Sequence, residues 1–187
     1  MVPEQLHREF RACEDSSPNR RQFDAHTSRL GVLLMFISDD SYPTRSPVWW
    51  ALRGPAGPHP EGTGATGRQV VIRIPKLLSG IEATLSRILR APNEVRRPMD
   101  DMNSVLWELM DGTIQLREIS RLMDATFHER IAPAEERIRA SIGMLVSDGL
   151  VVVRQNPFEG EWNISSQHDP SGRLNAPSPR LGLDTEE

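Results

Sequence analysis

The chain has 187 residues, 37% hydrophobic and 5% aromatic, with a formal net charge of −4 and a pI near 5.8. That balance excludes a general electrostatic attraction to nucleic acid or to an anionic membrane surface. No apolar window reaches the roughly 18 residues of a membrane span, and the lone Cys13 rules out an internal disulfide, so a reducing, cytoplasmic setting is expected.

Residues 1–34 lack apolar periodicity and read as a disordered N-terminal arm. The run Leu30 to Ile37 suits a short buried strand and is too far from Met1 for a signal peptide, while Met35 offers an alternative start. Residues 35–69 form an irregular segment rich in Pro and Gly, with room for one docking strand. Adjacent Trp49 and Trp50 in a strand point to opposite faces, one pinning the segment to a core and the other at the surface. That second ring is either simple packing or an aromatic contact for a partner. The string Gly62-Thr-Gly64-Ala-Thr-Gly67 matches a dinucleotide fingerprint by letter only. It precedes a strand, whereas the mechanism needs it to follow one and open a helix, so it reads as a flexible linker.

The packed domain is expected over 70–154. Val70 to Ile74 reads as a strand, Leu77 to Arg90 as a helix with Ile81, Leu85, Ile88 and Leu89 on one face, and Glu94 to Met99 as a second strand. A first helix of the core carries Val105, Leu106, Leu109 and Met110, with Trp107 beside them, and stops at Asp111-Gly112. A second carries Leu116, Ile119, Leu122 and Met123, with Phe127 just past its end. A third opens at Pro133, carries Ile138, Ile142, Leu145 and Val146, and stops at Gly149, where a left-handed residue ends helices. Leu150 to Val153 closes the domain as a strand. The remainder, 155–187, reads as a flexible tail. The fold class is therefore α+β: a three-helix core of winged helix-turn-helix type, a small antiparallel sheet, and irregular arms at both ends.

No residues promise catalysis. His7, His26, His59, His128 and His168 are scattered with no second ligand at metal spacing, and no nucleophile stands beside a base. Asp100 and Asp101 suit a helix start, where acids meet the positive end of the dipole. The chain reads as a non-enzyme without cofactor or metal.

The order Trp107-Glu-Leu-Met-Asp111-Gly112, then Glu118-Ile119, Phe127, Ile138, Ile142 and Leu145, then Asp148-Gly149-Leu150-Val151, resembles the PqqD family. These small proteins chaperone a ribosomally made precursor peptide to the enzyme that modifies it. The resemblance spans about residues 70–154. It differs at Gln115, where the family commonly has a Thr cap with Thr113 here nearby, and at the helical reading of 77–90, where the family has a strand and turn. The resemblance implies that the leader segment of a precursor adds as a strand to a sheet edge beside the third helix. The matching residues are Val95, Arg96, Arg97 and Met99 on the edge, and Glu135, Ile138, Arg139 and Ile142 on the helix. The implied partners are the leader peptide and its modifying enzyme. Residues 70–99 have a charge balance of +4 and 100–154 one of −4, so the basic edge suits an acidic leader. The alternative is a winged-helix DNA-binding regulator, which the acids Glu135 and Glu136 at the start of the third helix oppose.

Overall fold

A computed structural model describes residues 37–76, 94–177 and 183. The expected N-terminal arm, the start of the Leu30–Ile37 run and the Leu77–Arg90 helix fall outside the described residues. In chain order the elements are β1 (Tyr42–Arg45), β2 (Trp49–Arg53), β3 (Gln69–Pro75), β4 (Glu94–Pro98), α1 (Asp101–Leu109), α2 (Leu116–Phe127), a single 3-10 turn (His128–Arg130), α3 (Ala134–Ser147) and β5 (Val151–Arg154). The class is α+β, with three helices and two small antiparallel sheets among the described residues.

The helix ends follow their residues. Asp100 caps α1 by accepting the Asn103 N–H at 2.7 Å. Gly112 at φ +82° turns the chain out of α1, and Gly149 at φ +71° ends α3. Gln115 makes no side-chain cap for α2, and Thr113 is engaged with Asp111 instead. The free N–H groups of Leu116 and Arg117 donate instead to the carbonyls of Ser41 and Asp39, at 2.8 and 3.0 Å. A segment some 75 residues upstream does the work of a local cap. Phe127 is the last residue of α2 rather than a residue beyond it.

The core extends well upstream of residue 70. In the three-stranded sheet the order is β2-β3-β4, with Trp50 opposite Ile72 and Ile72 opposite Arg97. β1 pairs with β5 in a separate ladder, Thr44 opposite Val152. Two strands rather than one therefore come from the Pro/Gly-rich segment. Both tryptophans are buried, which corrects the expectation that one ring stays at the surface. Trp50 stands edge-on to Trp107, with ring centroids 6.3 Å apart, on the side of the sheet that faces the helices. Trp49 lies on the opposite side under the Arg73 guanidinium, 4.5 Å from ring centre to cation.

Residues 155–177 carry no helix, yet they run along the core, so the reading of a free tail is corrected for them. Trp162 Nε1 donates to the Arg45 carbonyl at 2.8 Å. Trp50 Nε1 donates to the Ile164 carbonyl at 3.0 Å, and Gln167 N–H to the Trp50 carbonyl at 2.7 Å. The three helices cover one face of β2 and β3; on the other, buried Arg73, which lies over Trp49, donates to the Asn175 carbonyl at 2.7 Å. The glycine loop is likewise held: Glu108 on α1 accepts the N–H groups of Thr66 and Gly67 and the Thr66 hydroxyl, all within 3.1 Å.

Candidate functional site

The site grows from a sheet edge that is unpaired among the described residues. β2 is approached on its outer side by the C-terminal segment, through Gln167 and a bridge between Arg53 and Leu183. β4 pairs with β3 only, among the described residues. Met99 N–H donates to the Val70 carbonyl at 2.9 Å. Since antiparallel strands alternate inward and outward groups, the backbone of Glu94, Arg96 and Pro98 points away from β3. Two N–H groups and three carbonyls are thus presented outward, because Pro98 has no donor to lose.

Side chains on β4 split by the same alternation. Glu94 and Arg96 share the face of Arg73. Glu94 accepts from Arg73 at 2.5 Å and from Arg96 at 2.6 Å. Burial pushes its carboxyl upward, but the Arg73 and Arg96 hydrogen bonds and charges outweigh this and hold it below the ordinary range. Val95 and Arg97 share the face turned to the helices. Val95 is 47% exposed, and Arg97 reaches Asp148 beyond the end of α3 at 2.5 Å.

The predicted residues do not converge. Val95 and Arg97 line one side of the β4 edge, Arg96 lies on the other face, and Met99 is buried beneath. On α3, Ile142 is buried core, and Ile138, also buried, reaches only the floor of a cavity. Glu135 and Arg139 lie on the flank that meets the segment before β1, where Arg139 holds the Ile37 carbonyl and the Asp39 carboxylate. The opposite flank carries Arg137, Ala140, Ser141, Met144 and Asp148, positions that share one stripe of the helix; it borders α1 at its start and meets Arg97 of β4 at Asp148.

That flank frames a cavity of about 270 Å³ against α1. Its lining is Met102, Leu106, Met123, Ile131, Ile138 and Ala140, with Asn103, Arg137 and Ser141 also bordering it. Met144, 52% exposed, stands on the same stripe between the cavity and the Arg97–Asp148 pair. Apolar periodicity gives the core stripe of α3 but not which flank faces the sheet. The large exposed Met144 beside that stripe is the signal that could have found it. Arg45 is a different case. Burial pulls its guanidinium down to about 10, against the Coulombic support of Asp111 and Glu108, and its partner is the Trp107 carbonyl, so its role is in the core.

Among the described residues, no three His, Cys, Asp or Glu side chains gather as a metal site, and no helix is long and apolar enough to cross a membrane. No protein-family model, no curated protein and no solved structure matches the chain.

Proposed function

We propose that the chain is a non-catalytic peptide-binding protein of winged-helix, PqqD-like type, which takes up a precursor peptide by strand addition and presents it to a modifying enzyme. The observation that carries this reading is the outer edge of β4, open among the described residues, with Asp148 at the end of α3 held against its Arg97. Backbone pairing with Glu94 and Arg96 supplies affinity without sequence preference, and the side chains facing the helices supply selection. The positions used on the helix differ from those that the resemblance implied. The edge and Val95, Arg97 and Met144 replace a wall built from Ile138 and Ile142. The arginines of β4 favour an acidic peptide, since an exposed pair such as Arg97–Asp148 is worth only about 0–1 kcal/mol and exchanges readily.

A DNA-binding reading draws less support. The first turn of α3 carries exposed Glu135 and Glu136, which phosphate oxygens repel. The test is calorimetry with the leader of a precursor peptide encoded beside this gene, together with backbone hydrogen exchange. Binding with slowed exchange at Glu94 and Arg96 is the expected result. Absence of heat with that peptide, combined with tight, salt-dependent binding to random duplex DNA, refutes it.

A further inference from the structure

We propose that the cavity between α1 and α3 is an anchor pocket for one bulky apolar side chain of the bound peptide, and that Arg137 selects an acidic residue next to it. The inference rests on the strand-addition reading and adds the class of sequence recognised. Four observations carry it.

The first is size and chemistry. A dry apolar cavity of about 150 Å³ takes up benzene, so about 270 Å³ receives an aromatic ring or a branched aliphatic side chain. The floor is made by side chains already fixed in the core: Leu106, Met123, Ile131 and Ile138 are each at most 3% exposed. A pocket with such a floor keeps its shape without a ligand, which lowers the ordering cost of binding.

The second is charge. Arg137 borders the cavity and is exposed. Its NH1 donates to the Arg130 carbonyl at 3.0 Å, and it has no carboxylate partner among the described residues. By contrast Arg97, Arg117, Arg121, Arg130, Arg139 and Arg154 each have one. Arg137 is therefore a cation held in place by a neutral carbonyl, with donors left for an incoming carboxylate.

The third is continuity. β4 runs through Met99 into Asp100 and α1, whose Met102 and Asn103 border the cavity. Opposite them, α3 runs from Arg137 through Ser141 and Met144 to Asp148, which touches Arg97 of β4. A strand added to β4 and continued past Pro98 runs between these two walls.

The fourth is the break in pairing at Pro98. The open edge offers its last N–H at Arg96 and its last carbonyl at Pro98, so backbone pairing thins toward the start of α1, where Met102 and Asn103 border the cavity. A side-chain anchor is then the remaining source of hold in that stretch.

The test is selection of a displayed library of random 12-residue peptides against the full chain. Enriched sequences are expected to share a Leu, Ile, Phe or Tyr beside an Asp or Glu. Arg137→Glu, at an exposed position that leaves the melt unchanged, should reverse the choice of neighbour from acidic to basic and weaken the original peptides about tenfold. Ala140→Phe, which fills the cavity, should weaken them by a similar factor while exchange protection at Glu94 and Arg96 persists. Peptides that protect β4 but show no apolar–acidic pair and ignore both substitutions overturn the anchor pocket and leave strand addition standing. Failure to enrich any peptide overturns both. Binding of dodecanoate that depends on Arg137 and Ala140, with peptides indifferent to them, also overturns it, by assigning the cavity to a small apolar anion.

Discussion

Arg97 of β4 and Asp148, just after α3, meet guanidinium to carboxylate at 2.5 Å, both nearly half exposed. The pair joins β4, whose outer edge is unpaired among the described residues, to the end of α3. Its partners are 51 residues apart, and as an exposed pair it should contribute only about 0–1 kcal/mol to folding.

Arg97→Glu should weaken an acidic peptide by about tenfold and flatten the salt dependence of binding, while the melting midpoint shifts little. Arg96→Glu should act differently. Arg96 faces away from the helices and pairs with Glu94, so the substitution places two acids together and weakens the sheet. Calorimetry at two salt concentrations and a thermal melt distinguish the two variants. Equal effects on peptide affinity would contradict the assignment of faces on β4.

The Trp107 ring is fully buried and meets Trp50 edge-on. Trp107→Ala should cost about 3–5 kcal/mol, enough to unfold much of the population in a domain of ordinary stability. Trp107→Phe should be much milder, because the buried indole N–H has no hydrogen-bond partner to lose. Urea melts of the two variants check this, and similar losses would show that the indole N–H matters.

Glu94 gives the sheet an acid limit. Its folded pKa lies below the ordinary carboxylate value, so its stabilisation is complete above the unfolded pKa, about 4.3. That contribution is lost as pH falls through the lower folded value. Stability should therefore begin to drop as pH falls below about 5 and go on falling until Glu94 is protonated in the folded state. Glu94→Gln should lose on the order of 3 kcal/mol at pH 7 by leaving buried Arg73 short of its partner, and should show a shallower acid dependence. Urea midpoints at pH 7 and pH 3.5 provide the comparison.

Truncation after Arg154 should destabilise the protein, because it uncovers Trp50 and removes Trp162 and Phe158, whose rings lie 4.9 Å apart. Each large apolar side chain returned to water costs roughly 1.5–3 kcal/mol. Limited proteolysis of the full chain should therefore spare 155–177. Early cleavage there, with an unchanged melt, would show that the segment adds nothing to the fold.

Gly112 and Gly149 both have positive φ but should differ on substitution. A Cβ at Gly112 would stand 2.4 Å from Thr44 Oγ1 and 2.5 Å from Phe158 Cβ, whereas one at Gly149 meets nothing within 4 Å. Gly149→Ala should cost only the backbone term, about 1–2 kcal/mol. Gly112→Ala should cost clearly more, because it also pushes apart β1 and the C-terminal segment. Chemical denaturation of both variants measures the gap.

The helices were legible because their determinants are local. Apolar spacing near 3.6 residues sets the stripes of α1, α2 and α3, Asp100 caps α1, and Gly149 ends α3. The strand at Glu94–Pro98 was legible for a similar reason: a short run bounded by turn residues. What sequence spacing leaves open is which neighbour each surface meets. Gln115 reads as a poor cap, and the remedy comes from Ser41 and Asp39. The core stripe Ile138–Ile142–Leu145 has two flanks of similar composition. Only the packed chain puts Arg139 against Asp39, sets Arg137 at the mouth of the cavity beside α1, and brings Asp148 to Arg97 of β4. Trp49 and the C-terminal segment likewise look unattached in sequence, because the second face of the sheet, where Arg73 lies over Trp49 and reaches the Asn175 carbonyl, exists only once the strands have paired. Periodicity is a property of one element at a time; a groove exists only between two, and its register is set by contacts across long sequence separations.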